Sequence, residues 1–122
     1  MSPEEDLSPE EMALDLVGTL SLKEWSDAAL TRMLKALREQ TDGLRRFAKN
    51  GRSAQESQAN PYHWMKLNEV LPTEHAAQFQ ALLVGADRKG CYNPVIRALR
   101  RKFEIELGIR AGRRRSKSYA SL

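Results

Sequence analysis

Residues 93–108 read Asn93-Pro94-Val95-Ile96-Arg97-Ala98-Leu99-Arg100-Arg101-Lys102-Phe103-Glu104-Ile105-Glu106-Leu107-Gly108. Asn93-Pro94 is a helix start, since asparagine caps free amides and proline suits the first helical position. At 100° per residue, Val95, Ile96, Leu99, Phe103 and Leu107 share one arc of about 120°. Arg97, Arg100 and Arg101 lie on the opposite side. Lys102 falls at the edge of the apolar arc, where its stem can cover hydrophobic surface. Gly108 is a natural helix stop. The stretch therefore predicts a helix with one apolar face and one arginine face. Beyond it stand Arg110, Arg113, Arg114, Arg115 and Lys117 among Gly and Ser, with no means of burying themselves. That composition predicts a flexible basic tail over 110–122.

The preceding segments carry the same helical period. Thr73-Glu74 opens a helix whose apolar positions are Ala76, Ala77, Phe79, Ala81, Leu82, Leu83 and Val84, with Gly85 as its expected end. A turn over 86–92 leads into Asn93. Asn60-Pro61 opens another helix, with Tyr62, Trp64, Met65, Leu67, Val70 and Leu71 before Pro72 breaks it. Residues 51–60 contain no large hydrophobe and predict a mobile loop.

From about 26 to 49 the chain reads as one long helix, or as two broken near Thr41-Asp42-Gly43. Leu30, Met33, Leu34, Leu37, Leu44, Phe47 and Ala48 fall within an arc of about 140°. Arg32, Lys35, Arg38, Arg45, Arg46 and Lys49 fill the neighbouring arc, so a core stripe runs beside a basic stripe. Both Ser21-Leu22-Lys23-Glu24 and Ser26-Asp27 offer caps before it, and Trp25 reads as a staple or core residue. Ser8-Pro9-Glu10-Glu11 is a strong helix start, with Met12, Leu14, Leu16, Val17 and Leu20 as its buried side. Residues 1–7 are acidic and expected to be disordered. The expectation is an all-α bundle of five or six helices: one domain over 8–109, then the basic tail.

Charge is distributed unevenly. The whole chain carries a net +4. Residues 1–20 contain six acids and no Lys or Arg, whereas residues 97–122 contain nine Lys/Arg and two acids. Such polarity bears on partners and steering rather than on fold. The single cysteine, Cys91, rules out an intrachain disulfide and a cysteine-rich metal site, and fits a reducing compartment. No apolar run approaches the ~18–20 residues that span a bilayer, and the acidic start is unlike a signal peptide. An intracellular protein without membrane contact is expected.

No motif for catalysis, a cofactor or a metal is present. His63 and His75 belong to no metal-binding helix motif, no glycine-rich phosphate loop occurs, and Glu104 and Glu106 lie on different helix faces. The basic elements point instead to polyanions. Guanidinium groups grip phosphate bidentately and cost less to desolvate than ammonium groups. The reading is a non-enzymatic DNA- or RNA-binding protein, working in an oligomer or with other subunits. It contacts the backbone through Arg32, Lys35, Arg38, Arg45, Arg46, Lys49, Arg97, Arg100, Arg101 and Arg110, extended by Arg113, Arg114, Arg115 and Lys117. Tyr62 and Tyr92 are candidates for stacking on bases.

Two other readings stand beside it. Residues 73–101 have the order of a helix-turn-helix regulator of duplex DNA, although a turn from Gly85 to Asn93 is longer than the three or four residues expected. A protein adaptor with charged ends is the other. In size, helical content and basic character the chain is similar to the small helical subunits of CRISPR effector complexes, and to small phage DNA-packaging and RNA-binding proteins. That similarity covers bulk character only and carries no residue role.

Overall fold

The computed structural model describes residues 7–49 and 61–120, with side chains at 7–42 and 66–113. The loop expected at 51–60 lies outside the described residues. So does the acidic segment before Leu7. Five helices follow in order: α1 (Pro9–Gly18), α2 (Asp27–Lys49), α3 (Pro61–Val70), α4 (Thr73–Arg88) and α5 (Tyr92–Ala120). No strand occurs among the described residues, so the protein is an all-α bundle.

Local chemistry explains most of the boundaries. Ser8 caps α1, its Oγ accepting from the Glu11 amide at 3.2 Å while donating to the Glu11 carboxylate. Ser26, rather than Ser21, caps α2 through the Ala29 amide at 3.1 Å. The Thr41-Asp42-Gly43 sequence does not break α2, which runs unbroken to Lys49. Gly85 does not end α4 either. The helix continues to Arg88, and Gly90 takes the left-handed conformation (φ 70°) that closes it. The Cys91 amide then reaches back to the Ala86 carbonyl at 2.9 Å, the wide hydrogen bond of a glycine-terminated helix. Asn93 and Pro94 sit inside the first turn of α5, where a missing amide hydrogen is harmless. Gly108 also fails to stop its helix. Residues 110–113, expected in the flexible tail, are helical.

α5 is the axis of the bundle and packs on α1, α2 and α4. Val95, Ile96, Leu99 and Phe103 are buried and Leu107 packs at the edge, as the helical arc predicts. Trp25 is a core residue. It stacks on His75 at 4.5 Å between ring centroids and meets Phe103 edge-on at 5.2 Å. Phe79 and Phe103 stand at similar distances along the chain from the turn at Gly90 and meet edge-on, so α4 and α5 form an antiparallel hairpin. Leu14, expected on the buried side of α1, is instead exposed.

Candidate nucleic-acid interface

Three contacts set α2 against α5. Arg110 reaches Asp27 at 2.8 Å, Arg38 lies 3.6 Å from Glu104, and Arg100 reaches Thr41 at 2.5 Å. Position falls along α2 as it rises along α5, so the two helices are antiparallel neighbours. The basic stripe of α2 and the arginine face of α5 therefore border one another. Their meeting point is Glu104. Its carboxylate accepts from Arg100 Nε at 2.8 Å and lies beside Arg38 on the same oxygen. The Arg100 hydrogen bond holds the Glu104 carboxyl below the usual glutamate range, against the opposing effect of burial, and the Arg38 charge adds to it.

The cations on this surface divide into two kinds. Arg32, Lys35 and Arg97 are exposed and form no ion pair among the described residues. Arg101 and Arg113 are exposed too but lie off this surface: Arg101 lines a groove between α1 and α5, and Arg113 continues the azimuth of Val95. Arg38 is exposed and loosely held by Glu104. Arg100 is partly covered and committed to Glu104, Thr41 and Asp42, so its guanidinium braces α5 on α2. Arg110 is a clearer case. Its side chain is only 16% exposed. It donates to the Trp25 carbonyl at 2.7 Å, the Leu22 carbonyl at 2.9 Å, Asp27 at 2.8 Å and Glu106 at 3.1 Å. It clamps the α1–α2 connection to α5 and has few donors left for phosphate. Placing Arg110 with the phosphate-gripping residues is corrected accordingly.

Lys102 acts in the same way one end over. Its Nζ donates to the Val17 carbonyl at 2.7 Å, which also accepts the Leu20 amide, and to the Leu20 carbonyl, placing a cation on the acceptors at the C-terminus of α1. Burial lowers its ammonium pKa. The bond acceptors are carbonyls far away in sequence, so only the edge position of Lys102 on the helical arc is visible locally.

Tyr92 is 1% exposed and has no ring face open to a base, so base stacking by Tyr92 is corrected. Burial pushes its hydroxyl up to about 12. Cys91 is buried too, and its thiol is raised by that burial, which suits an inert side chain. The side chains of Arg45, Arg46, Lys49, Tyr62, Arg114, Arg115 and Lys117 lie outside the described residues.

The turn between α4 and α5, Lys89 to Cys91, has the length of a helix-turn-helix turn and its glycine. The longer turn inferred from Gly85 is thereby corrected. However, Tyr92, Asn93, Pro94, Val95 and Ile96 are all buried. A recognition helix needs that first turn exposed to touch base edges.

Among the described residues no cluster of His, Cys, Asp and Glu could hold a metal ion, and no helix is long and apolar enough to cross a membrane. Comparison with protein-family models, with curated proteins and with solved structures found no match for this chain.

Proposed function

We propose that this chain is a non-enzymatic nucleic-acid-binding protein that grips the phosphate backbone across the α2–α5 face. The observation that carries the reading is the convergence of Arg38 and Arg100 on Glu104, which joins two basic stripes into one surface. On that surface Arg32, Lys35 and Arg97 present cations with no ion-pair partner among the described residues to compete with phosphate. Because α5 is anchored in the core, its arginines are held in fixed relation to α2. A rigid row of this kind recognises backbone geometry rather than base sequence. The helix-turn-helix reading is the weaker one, since the first turn of α5 is buried.

Binding of labelled single-stranded and duplex DNA and RNA, at several salt concentrations, tests the proposal. If Arg32, Lys35 and Arg97 each neutralise one phosphate, log affinity should fall against log salt with a slope of about −2.7 on duplex DNA and about −2.1 on single strands. No binding to any of them at low salt would overturn the proposal. Strong preference for one duplex sequence would favour the regulator.

A further inference from the structure

The largest exposed apolar side chains gather mainly on one face. A groove of about 510 Å³ runs between α1 and α5, lined by Leu14, Val17, Gly18 and Leu20 from the α1 side and by Ala98 and Ile105 from α5. Leu14 is 65% exposed and Ile105 52%, and Ile109, 44% exposed, stands one turn beyond Ile105. Leaving such residues in water forgoes the burial that each would give. Clustered exposed apolar residues mark interaction sites rather than chance surface.

The charges around this floor identify the occupant. On the α1 wall the exposed acids Glu10 and Asp15 flank Leu14, and no Lys or Arg occurs in residues 1–20. Lys23, in the connection after α1, and Arg101, on α5, also line the groove, and both are exposed. Among the described residues none of these four forms an ion pair within the chain. A partner of uniform charge would be repelled by one wall or the other. A surface with an apolar floor, an acidic wall and a basic rim is complementary to its own two-fold image. We propose that the groove is a homodimer interface, in which the α1 wall of each copy lies over the α5 rim of the other. Leu14 of one copy then enters the groove beside Ile105 of its partner. Glu10 and Asp15 face Lys23 and Arg101 across the two-fold axis. This inference stands on the groove alone and does not depend on nucleic-acid binding.

Sedimentation velocity of the full chain, without nucleic acid, from ~1 to ~100 µM tests it. The chain should sediment as a dimer that dissociates on dilution. Leu14→Glu with Ile105→Glu should weaken the dimer by at least tenfold or so, the cost of burying charge at an interface centre, with an unchanged helical circular dichroism spectrum. Glu10→Arg with Asp15→Arg should also weaken it, and adding Lys23→Glu with Arg101→Glu should restore it. A monomer throughout the range would overturn the proposal. So would a dimer indifferent to the Leu14 and Ile105 changes, or a charge reversal that the second reversal fails to rescue.

Discussion

Replacing Arg110 by alanine separates the two roles that an arginine near the end of α5 could have. The side chain spans from α5 to the α1–α2 connection, giving hydrogen bonds to the Trp25 and Leu22 carbonyls. Each charge-assisted bond to a carbonyl contributes about 1–1.5 kcal/mol net, the lower figure at Leu22, whose carbonyl keeps the Trp25 amide when Arg110 is lost. The pairs with Asp27 and Glu106 add less, because Asp27 is half exposed and solvent screens it; together they are worth about 1 kcal/mol. The total is about 3 kcal/mol. For a domain of this size that is a fall in Tm on the order of 10 °C. Urea and thermal unfolding followed by circular dichroism would measure it. Arg110→Lys should recover only part, since an ammonium cannot fork to two carbonyls and two carboxylates at once. Nucleic-acid affinity of the folded Arg110→Ala protein should stay close to that of the parent chain. A destabilisation below about 0.5 kcal/mol, the value for an ordinary surface position, would refute the clamp. Loss of binding with stability unchanged would refute it equally.

Other expectations follow from the same contacts. Lys102→Met keeps an apolar stem but strips the donor from the Val17 and Leu20 carbonyls; it should cost about 2 kcal/mol by urea unfolding, and a neutral result would contradict the capping role. Glu104→Gln should destabilise at neutral pH by up to about 1 kcal/mol, discounted because the carboxylate is 39% exposed. Its folded pKa lies below its unfolded value, so the contribution is full above the ordinary glutamate range and is lost as pH falls through the folded value. The stability difference between Glu104→Gln and the parent should therefore shrink on acidification, and a difference that grew would reverse the sign of the linkage.

Which parts were legible in the sequence depends on how local their causes are. The apolar arc of α5 is set by spacing alone, and Val95, Ile96, Leu99 and Phe103 are buried as that spacing requires. The end of α4 is different. Gly85 and Gly90 are equally good stops by composition, and only the backbone reveals that Gly90 takes the positive φ. Gly85 is instead a helical residue packed beside α1, where an added Cβ would lie 3.8 Å from Leu16 Cδ2. Arg110 carried a signal that the expected stop at Gly108 hid. Continuing at 100° per residue places it about 60° from Val95, inside the apolar arc, where an exposed tail residue has no reason to fall. Leu14 has the opposite explanation. Its place beside Val17 suggests burial, but α1 meets α4 and α5 on one side only, and Leu14 falls on the open side. The bond from Arg100 to Thr41 spans 59 positions and has no local signature at all.

Most at issue is whether α2 and α5 present one continuous basic surface to a nucleic-acid backbone. The most direct measurement is fluorescence anisotropy of one labelled oligonucleotide, of the kind bound best, against three variants: Arg32→Glu with Lys35→Glu, Arg97→Glu, and all three changes together. None of these side chains makes an ion pair among the described residues, so the fold should be unaffected. Reversal on either helix should weaken binding and lower the salt slope, by about one unit for each lost phosphate contact. The triple change should abolish binding at moderate salt. Full affinity after reversal on either helix alone, or no binding by the parent chain at low salt, would contradict a shared surface.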